Sequence, residues 1–333
     1  MITTQQFPDL VKNAKVIWRK AFMGVPKVAA QLYDVYRVDE KTSEHSEMDG
    51  STFALRKKEG DEYRESKVVQ GYKYNFSQTR IGLEKKITYE MRKFDKYREI
   101  ERLMSMLGET TANRLELDMT HQLSYGFVDS YVNLDGETVS TATADGLSNF
   151  HAAHTLTGTD KTYSNKITKK FGRAALEEAE LLFTNMKDNL GEKITMRPNI
   201  IVTSDDPATI NKVREFLKST SQVNEGNANG RGQNDTTNVY GGKYTHVILP
   251  YLATDNAGQY DATKKDQWYL ACTKESRAVC EISDYPKFVA PNVSDNSIDW
   301  YTDDIGFKSN MMYDLGWIDG RWIVGSTGVD AAV

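Results

Sequence analysis

Two imidazoles three residues apart, His151 and His154 in the run His-Ala-Ala-His, are the nearest thing in this sequence to a metal-ligand pair, because that spacing sets both rings on one face of a helix. Their surroundings read as loop. Gly146, Ser148, Asn149, Thr155 and Gly158 flank them, no Glu stands between them as a general base, and no third ligand is marked nearby. Structural or solvent-exposed histidines are therefore preferred to a metal site. Asp205-Asp206 and Asp303-Asp304 pair carboxylates as a divalent cation requires. Asp206 ahead of Pro207 is better explained as a helix cap, and Asp303-Asp304 has no obvious partners. Cys272 and Cys280, eight apart, fit neither a zinc knuckle nor a disulfide framework and read as small buried hydrophobes. The loop Gly226–Gly232 has no following Gly-Lys-Ser/Thr and no strand feeding it, so it is not a phosphate cradle. Ser326 lacks the spacing of a nucleophile elbow. The expectation is a protein that is not an enzyme and needs no cofactor or metal.

The chain of 333 residues has room for roughly two domains with cores of their own. Its 42 basic and 47 acidic side chains leave a net charge of −5, which excludes a nonspecific nucleic-acid coat held by bulk charge. The charge is uneven, however: residues 1–100 hold 20 basic and 15 acidic side chains, the remainder 22 and 32. A chance imbalance of solvated faces is the plainer reading. The sharper one is that opposite surfaces steer one copy onto the next. No stretch approaches a membrane span, and Asp9, Lys12, Lys15, Arg19 and Lys20 interrupt any export-signal core, so neither membrane nor export is expected.

The elements that position these residues follow from periodicity. Val11, Ala14, Ile17 and Trp18, then Val28, Leu32 and Tyr33, predict an N-terminal arm of short helices broken at Gly24 and Pro26. A polar connection over 41–51 gives way to a strand at Phe53 and Leu55. The run Arg56-Lys57-Lys58-Glu59-Gly60-Asp61-Glu62-Tyr63-Arg64-Glu65 has bases before its glycine and acids after it, so folding back at Gly60 would set opposite charges across a ladder. Such a tip is too polar to turn inward. It makes Arg56, Lys57, Lys58, Asp61, Glu62 and Arg64 candidate contacts to another subunit. Alternation returns at Val68, Val69, Tyr72, Tyr74 and Phe76 and continues through Ile81, Leu83 and Ile87. From Arg92 to Tyr125 the period becomes helical and predicts a long helix, kinked near Gly108 and lying on a sheet. After an irregular stretch over 133–170, a helix is expected from Arg173 to Asn189, a buried strand at Ile200–Val202, and a capped helix from Pro207. Strands at Thr245–Leu252, Gln267–Cys272, Ala278–Ile282 and Phe288–Val289 precede a closing hairpin of Ile305–Asp314 and Gly316–Gly325. The fold class is α+β.

This order of elements resembles the major capsid proteins of tailed bacteriophages. Asp145-Gly146 leading to Phe150 and His154, Tyr163-Ser164-Asn165, Met186-Lys187-Asp188 with Gly191, and Met196-Arg197-Pro198 before Asn199–Thr203 are similar to the Mu-like major head subunit group. Gly316-Trp317 and Arg321-Trp322-Ile323-Val324-Gly325-Ser326 are similar to its closing strands. The resemblance covers 45–328 and implies the capsid fold of the Hong Kong 97 type. Its parts would be an N-terminal arm (1–44), an extended loop hairpin (45–88), a peripheral domain with a spine helix (89–130), an axial domain (131–300), and strands returning to the peripheral domain (301–333).

The implied function is self-assembly into pentamers and hexamers of an icosahedral shell that encloses double-stranded phage DNA without sequence-specific binding. Scaffolding, portal and decoration proteins are the implied partners. The implied location is the virion, with assembly in the host bacterial cytoplasm. Because no long N-terminal scaffolding segment is present, a separate scaffolding protein or an already trimmed product is expected. Two alternatives stand beside this reading: an encapsulin-like nanocompartment shell, and a metal-dependent enzyme using His151 and His154.

Overall fold

A computed structural model describes residues 6–49, 53–54, 56–63, 65, 68–94, 97–220, 238–291 and 304–330. The chain opens with α1 (Gln6–Gly24), a 3-10 turn (Ala29–Leu32) and β1 (Asp34–Arg37), then β2 (Thr42–Asp49), β3 (Val69–Ser77) and β4 (Thr79–Ile87). Two helices follow, α2 (Tyr89–Lys93) and α3 (Tyr97–Ser124). Short strands β5 (Ser130–Val132), β6 (Thr138–Ser140), β7 (His154–Leu156), β8 (Thr159–Tyr163) and β9 (Lys166–Ile167) lead into α4 (Arg173–Thr184). The rest is β10 (Ile200–Ser204), α5 (Pro207–Lys218), β11 (Thr245–Leu249), β12 (Trp268–Ala271), β13 (Ala278–Val289), β14 (Ile305–Trp317) and β15 (Ile323–Ser326).

Two sheets share α3. The first has the order β1-β13-β14-β4, with β1 parallel to β13 and the other pairs antiparallel. The second has the order β11-β10-β12-β15-β9 and is buried on both faces in β10, β12 and β15. One of its faces takes Phe183 of α4 and Val213 of α5. The other packs with Leu115, Met119 and Leu123 of α3 and with Trp317 and Trp322. At 28 residues and 1.5 Å per residue, α3 runs about 42 Å, long enough to serve both sheets. No helix among the described residues is long and apolar enough to cross a membrane.

Several expectations are corrected. The first helix of the N-terminal segment is longer than expected, 19 residues, because Ala14, Trp18 and Phe22 stand four apart and bury one stripe against Ile100, Met104 and Leu107 of α3; it ends at Gly24, where the sequence places the break, and the 3-10 turn follows. Gly108 lies inside an unbroken α3. A Cβ there would stand 2.5 Å from the carbonyl oxygen of Trp18, so the glycine admits the backbone of α1 and does not make a kink. Pairing in the excursion begins at Thr42, within the segment read as a polar connection, and β2 pairs with β3 from Thr42↔Ser77 to Asp49↔Val69. The described residues from 53 to 65 form no strand, so the expected ladder of opposed charges is absent there; a turn at Glu59-Gly60 stands in its place.

The segments 278–282 and 288–289 belong to one strand, β13, with register shifts at Ile282/Asp284 and Asp284/Lys287. The closing hairpin does not form. β14 lies between β13 and β4, whereas β15 enters the second sheet beside β12, so only β14 joins the sheet that contains β4. Asp206 caps α5 as the sequence indicates, its carboxylate accepting from Thr209 N at 3.0 Å. α4 ends at Thr184, five residues before Asn189.

Candidate assembly arm and its buried root

Because β14 and β15 belong to different sheets, the link Ile318–Trp322 must cross between them, and it carries Asp319 and Arg321 into the protein interior. Both are almost fully buried, and the Arg321 guanidinium pairs with Asp319 and with Glu47 of β2. Glu47 also meets Arg277 at 3.1 Å. Tyr163 Oη donates to Asp319 Oδ1 at 2.6 Å, and the Tyr163 ring stacks on His154 with centroids 4.8 Å apart. His154 Nδ1 lies 2.8 Å from Asp145 Oδ2. Asn165 Nδ2 donates to Asn149 O and Gly320 O at 2.8 and 3.0 Å. A small cavity bounded by Glu47, Tyr72, Asp145, Tyr163, Asp319 and Arg321 lies within this group.

Burial disfavours the charge on Arg321, but Asp319 and Glu47 outweigh it and hold its pKa above the ordinary guanidinium value. Burial likewise opposes the charge on Asp319. Arg321 and the Tyr163 hydroxyl reverse the balance, keeping that carboxyl below its usual range. Removing one charge from such a set strands the other in low dielectric. The ion pairs thus fasten β2, the outgoing strand of the excursion, to the junction of the two sheets.

A second attachment lies at the start of β2. Glu281 of β13 is wholly buried and accepts from Ser43 Oγ at 2.5 Å and Gln78 Nε2 at 3.1 Å, with His45 Nε2 2.5 Å from its other oxygen. Ser77 N, at the end of β3, donates to Asp314 Oδ2 at 2.6 Å. Both strands of the excursion are therefore held at their base by carboxylates of β13 and β14.

The far end is different. Phe53 and Tyr63 are 74% and 85% exposed, and Met48 and Val68 are exposed as well. Lys57 Nζ sits 4.1 Å from the centre of the Tyr63 ring. Arg56, Lys57, Lys58, Asp61 and Glu62 are all exposed, and Asp61 N donates to Lys58 O at 3.2 Å in the turn. Arg64 lies outside the described residues. The arm is thus built in halves: a base of buried charge and a tip whose large apolar groups face solvent.

The other sequence candidates sort as follows. His154 is buried against Asp145 and Tyr163, while His151 turns its Nδ1 back to accept from Ala153 N at 3.2 Å. Among the described residues no three His, Cys, Asp or Glu side chains group as metal ligands. Cys272 and Cys280 are free and buried, and burial pushes the Cys280 thiol up to about 12. Ser326 Oγ donates to Lys169 O at 2.5 Å. Asp303 and Gly226–Gly232 lie outside the described residues. Glu47, Glu281, Asp314 and Asp319 were not singled out by reading the sequence. A signal existed: Asp145, His154, Tyr163, Asn165 and Arg321 all occur in the motifs that carry the resemblance, and the fold brings them together.

A family model described as phage capsid protein matches residues 73–326. No curated protein matches the chain. Among solved structures, one from Mycobacterium phage Cain is 11% identical over 94% of each chain, with a TM-score of 0.51. The asymmetric unit of the mature capsid of bacteriophage PhiM1 is 12% identical over 91% of this chain and 87% of that one, with a TM-score of 0.50. The procapsid of bacteriophage JBD30 is 13% identical over 100% of this chain and 77% of that one, also with a TM-score of 0.50. At these identities the structures bear on the fold, and the family match covers most of the chain. The chain belongs to the phage capsid protein family: it is a major capsid protein of the Hong Kong 97 fold, a self-associating subunit of the virion shell.

Proposed function

We propose that this capsid protein assembles into pentamers and hexamers of an icosahedral shell around double-stranded DNA, each subunit laying the tip of its 45–88 excursion on the next. Arg56, Lys57, Lys58, Asp61, Glu62 and Arg64 are the proposed contacts, joined by the exposed rings of Phe53 and Tyr63. One observation carries the reading: an arm anchored at its base by the buried Glu281 and the Glu47–Arg321 pair ends in apolar side chains that its own chain leaves in water. Such groups gain burial only from another copy, and many modest head-to-tail contacts close a ring.

In this reading residues 1–44 are the N-terminal arm, 89–130 the peripheral domain, 131–300 the axial domain and 301–333 the closing segment. The motifs around Asp145, Tyr163 and Arg321 support assignment to the Mu-like group. The subunit acts without catalysis, contacts DNA without reading its sequence, and assembles in the host cytoplasm with scaffolding and portal proteins.

The test is deletion of residues 54–66. The root contacts all lie outside this span, so the expected product is a folded subunit that forms no closed particles by negative-stain microscopy. Normal shells from the deletion variant would overturn the proposal.

A further inference from the structure

The buried stripe of α1 has a counterpart on its other side. Between Val11 and Gly24 the exposed residues include Lys12, Lys15, Arg19 and Lys20, and the stretch contains no acid; the acid of the helix, Asp9, stands before it. Packing of Ala14, Trp18 and Phe22 against α3 prevents this face from turning inward. None of the four cations forms an ion pair or side-chain hydrogen bond with a described residue. Eight residues separate Lys12 from Lys20, about 12 Å of helix, the axial rise of three to four phosphates along one strand of a duplex. Across a groove beside α1, Lys20 faces Arg98 and Arg102 of α3, with Glu101 and Glu109 on the same wall. On the other flank Lys15, Arg19 and Lys27 border a second groove, Lys27 with its ammonium 4.2 Å from the Phe22 ring centre. A chain of net charge −5 thus sets on one helix four cations that have no ion partner among the described residues.

We infer that the outward face of α1 is a surface for the phosphate backbone of duplex DNA, engaged by Lys12, Lys15, Arg19 and Lys20, and that this face lines the inside of the shell. The inference rests on the proposal that the shell encloses double-stranded DNA. Long flexible cations on an exposed helix supply counterion-releasing phosphate contacts, which are independent of sequence. The rest of the chain is net acidic, which disfavours the same polymer there.

The test is fluorescence anisotropy of a random-sequence duplex of about 20 base pairs, titrated with the full-length chain over a range of salt concentrations. The variant K12Q/K15Q/R19Q/K20Q is expected to bind at least about tenfold more weakly near 0.1 M salt, with a log–log salt slope shallower by about 3 to 4. K12R/K15R/K20R is expected to retain wild-type binding. If the fourfold variant does not fold, K12Q/K15Q and R19Q/K20Q are each expected to lose about half of that slope. Unchanged duplex affinity in the Gln variants would overturn the inference. So would wild-type protein that binds polyglutamate and not the duplex, which would give the face to an acidic protein. Particle counts by microscopy on the same preparations read shell formation separately: intact shells with unchanged duplex affinity sink this inference alone.

Discussion

His121 illustrates how a single buried group sets a property of the whole. Its ring is enclosed, met edge-on by Tyr125 and Tyr131, with Nε2 2.9 Å from Thr254 Oγ1. Thr254 donates its own proton to Tyr251 O at 2.6 Å, so Nε2–H of His121 is the donor in this contact. Burial first, then the Lys264 and Arg114 cations, push the imidazole down from 6.5 to about 4. Its folded value lies below its unfolded value, so between the two the unfolded chain binds more protons. The stability it contributes is intact above pH 6.5 and is lost as pH falls toward 4, by about 3 kcal/mol in order of magnitude. Urea unfolding from about pH 7 down to 4 is expected to show this loss. His121→Gln, which keeps an N–H donor, is expected to remove that part of the slope, and an identical profile in the variant would refute the assignment.

At the scale of elements, the contact between α1 and α3 depends on a missing side chain. Gly108 lies where the Trp18 carbonyl crosses α3, so any Cβ must push the helices apart or strain both. Gly108→Val is expected to cost about 1–3 kcal/mol, the range for overpacking a well-packed contact. Because α1 buries Trp18 and Phe22 against α3, the loosened helix is expected to become sensitive to trypsin at Lys12, Lys15, Arg19 and Lys20 while the second sheet remains protected. Wild-type melting and digestion in this variant would show that the contact is not tight. The apolar spacing that forms α3 was readable from the sequence; the reason for its glycine was not, because the partner lies 90 residues earlier in the chain.

For the whole molecule, folding and assembly draw on different residues. The three cores contain neither Phe53 nor Tyr63. The double variant F53S/Y63S is therefore expected to unfold within about 0.5 kcal/mol of wild type as a free subunit, as surface changes generally do. Its shells are expected to be lost, along with the rise of apparent melting temperature with protein concentration that self-association confers. Wild-type shell yield from F53S/Y63S would remove these rings from the assembly surface. The two attachments of the arm, at Glu281 and at Glu47–Arg321, belong to the folded subunit and not to the shell.

Periodicity and turn chemistry determined what could be determined locally: the long helix through Leu107 and Leu123, the cap at Asp206, the buried strand at Ile200–Val202, and the outward-reaching polar segment around Gly60. These depend on side chains a few residues apart, and a sequence displays that spacing directly. Tertiary structure alone decided that β14 and β15 part into separate sheets and that α1 is a continuous cover for α3. It also decided that Glu47, Asp319 and Arg321 meet in the interior. A buried charge is stable only when its counter-charge is present, and Arg321 takes one from Asp319 two residues away and the other from Glu47 of β2, 274 residues distant, a proximity that no local spacing encodes.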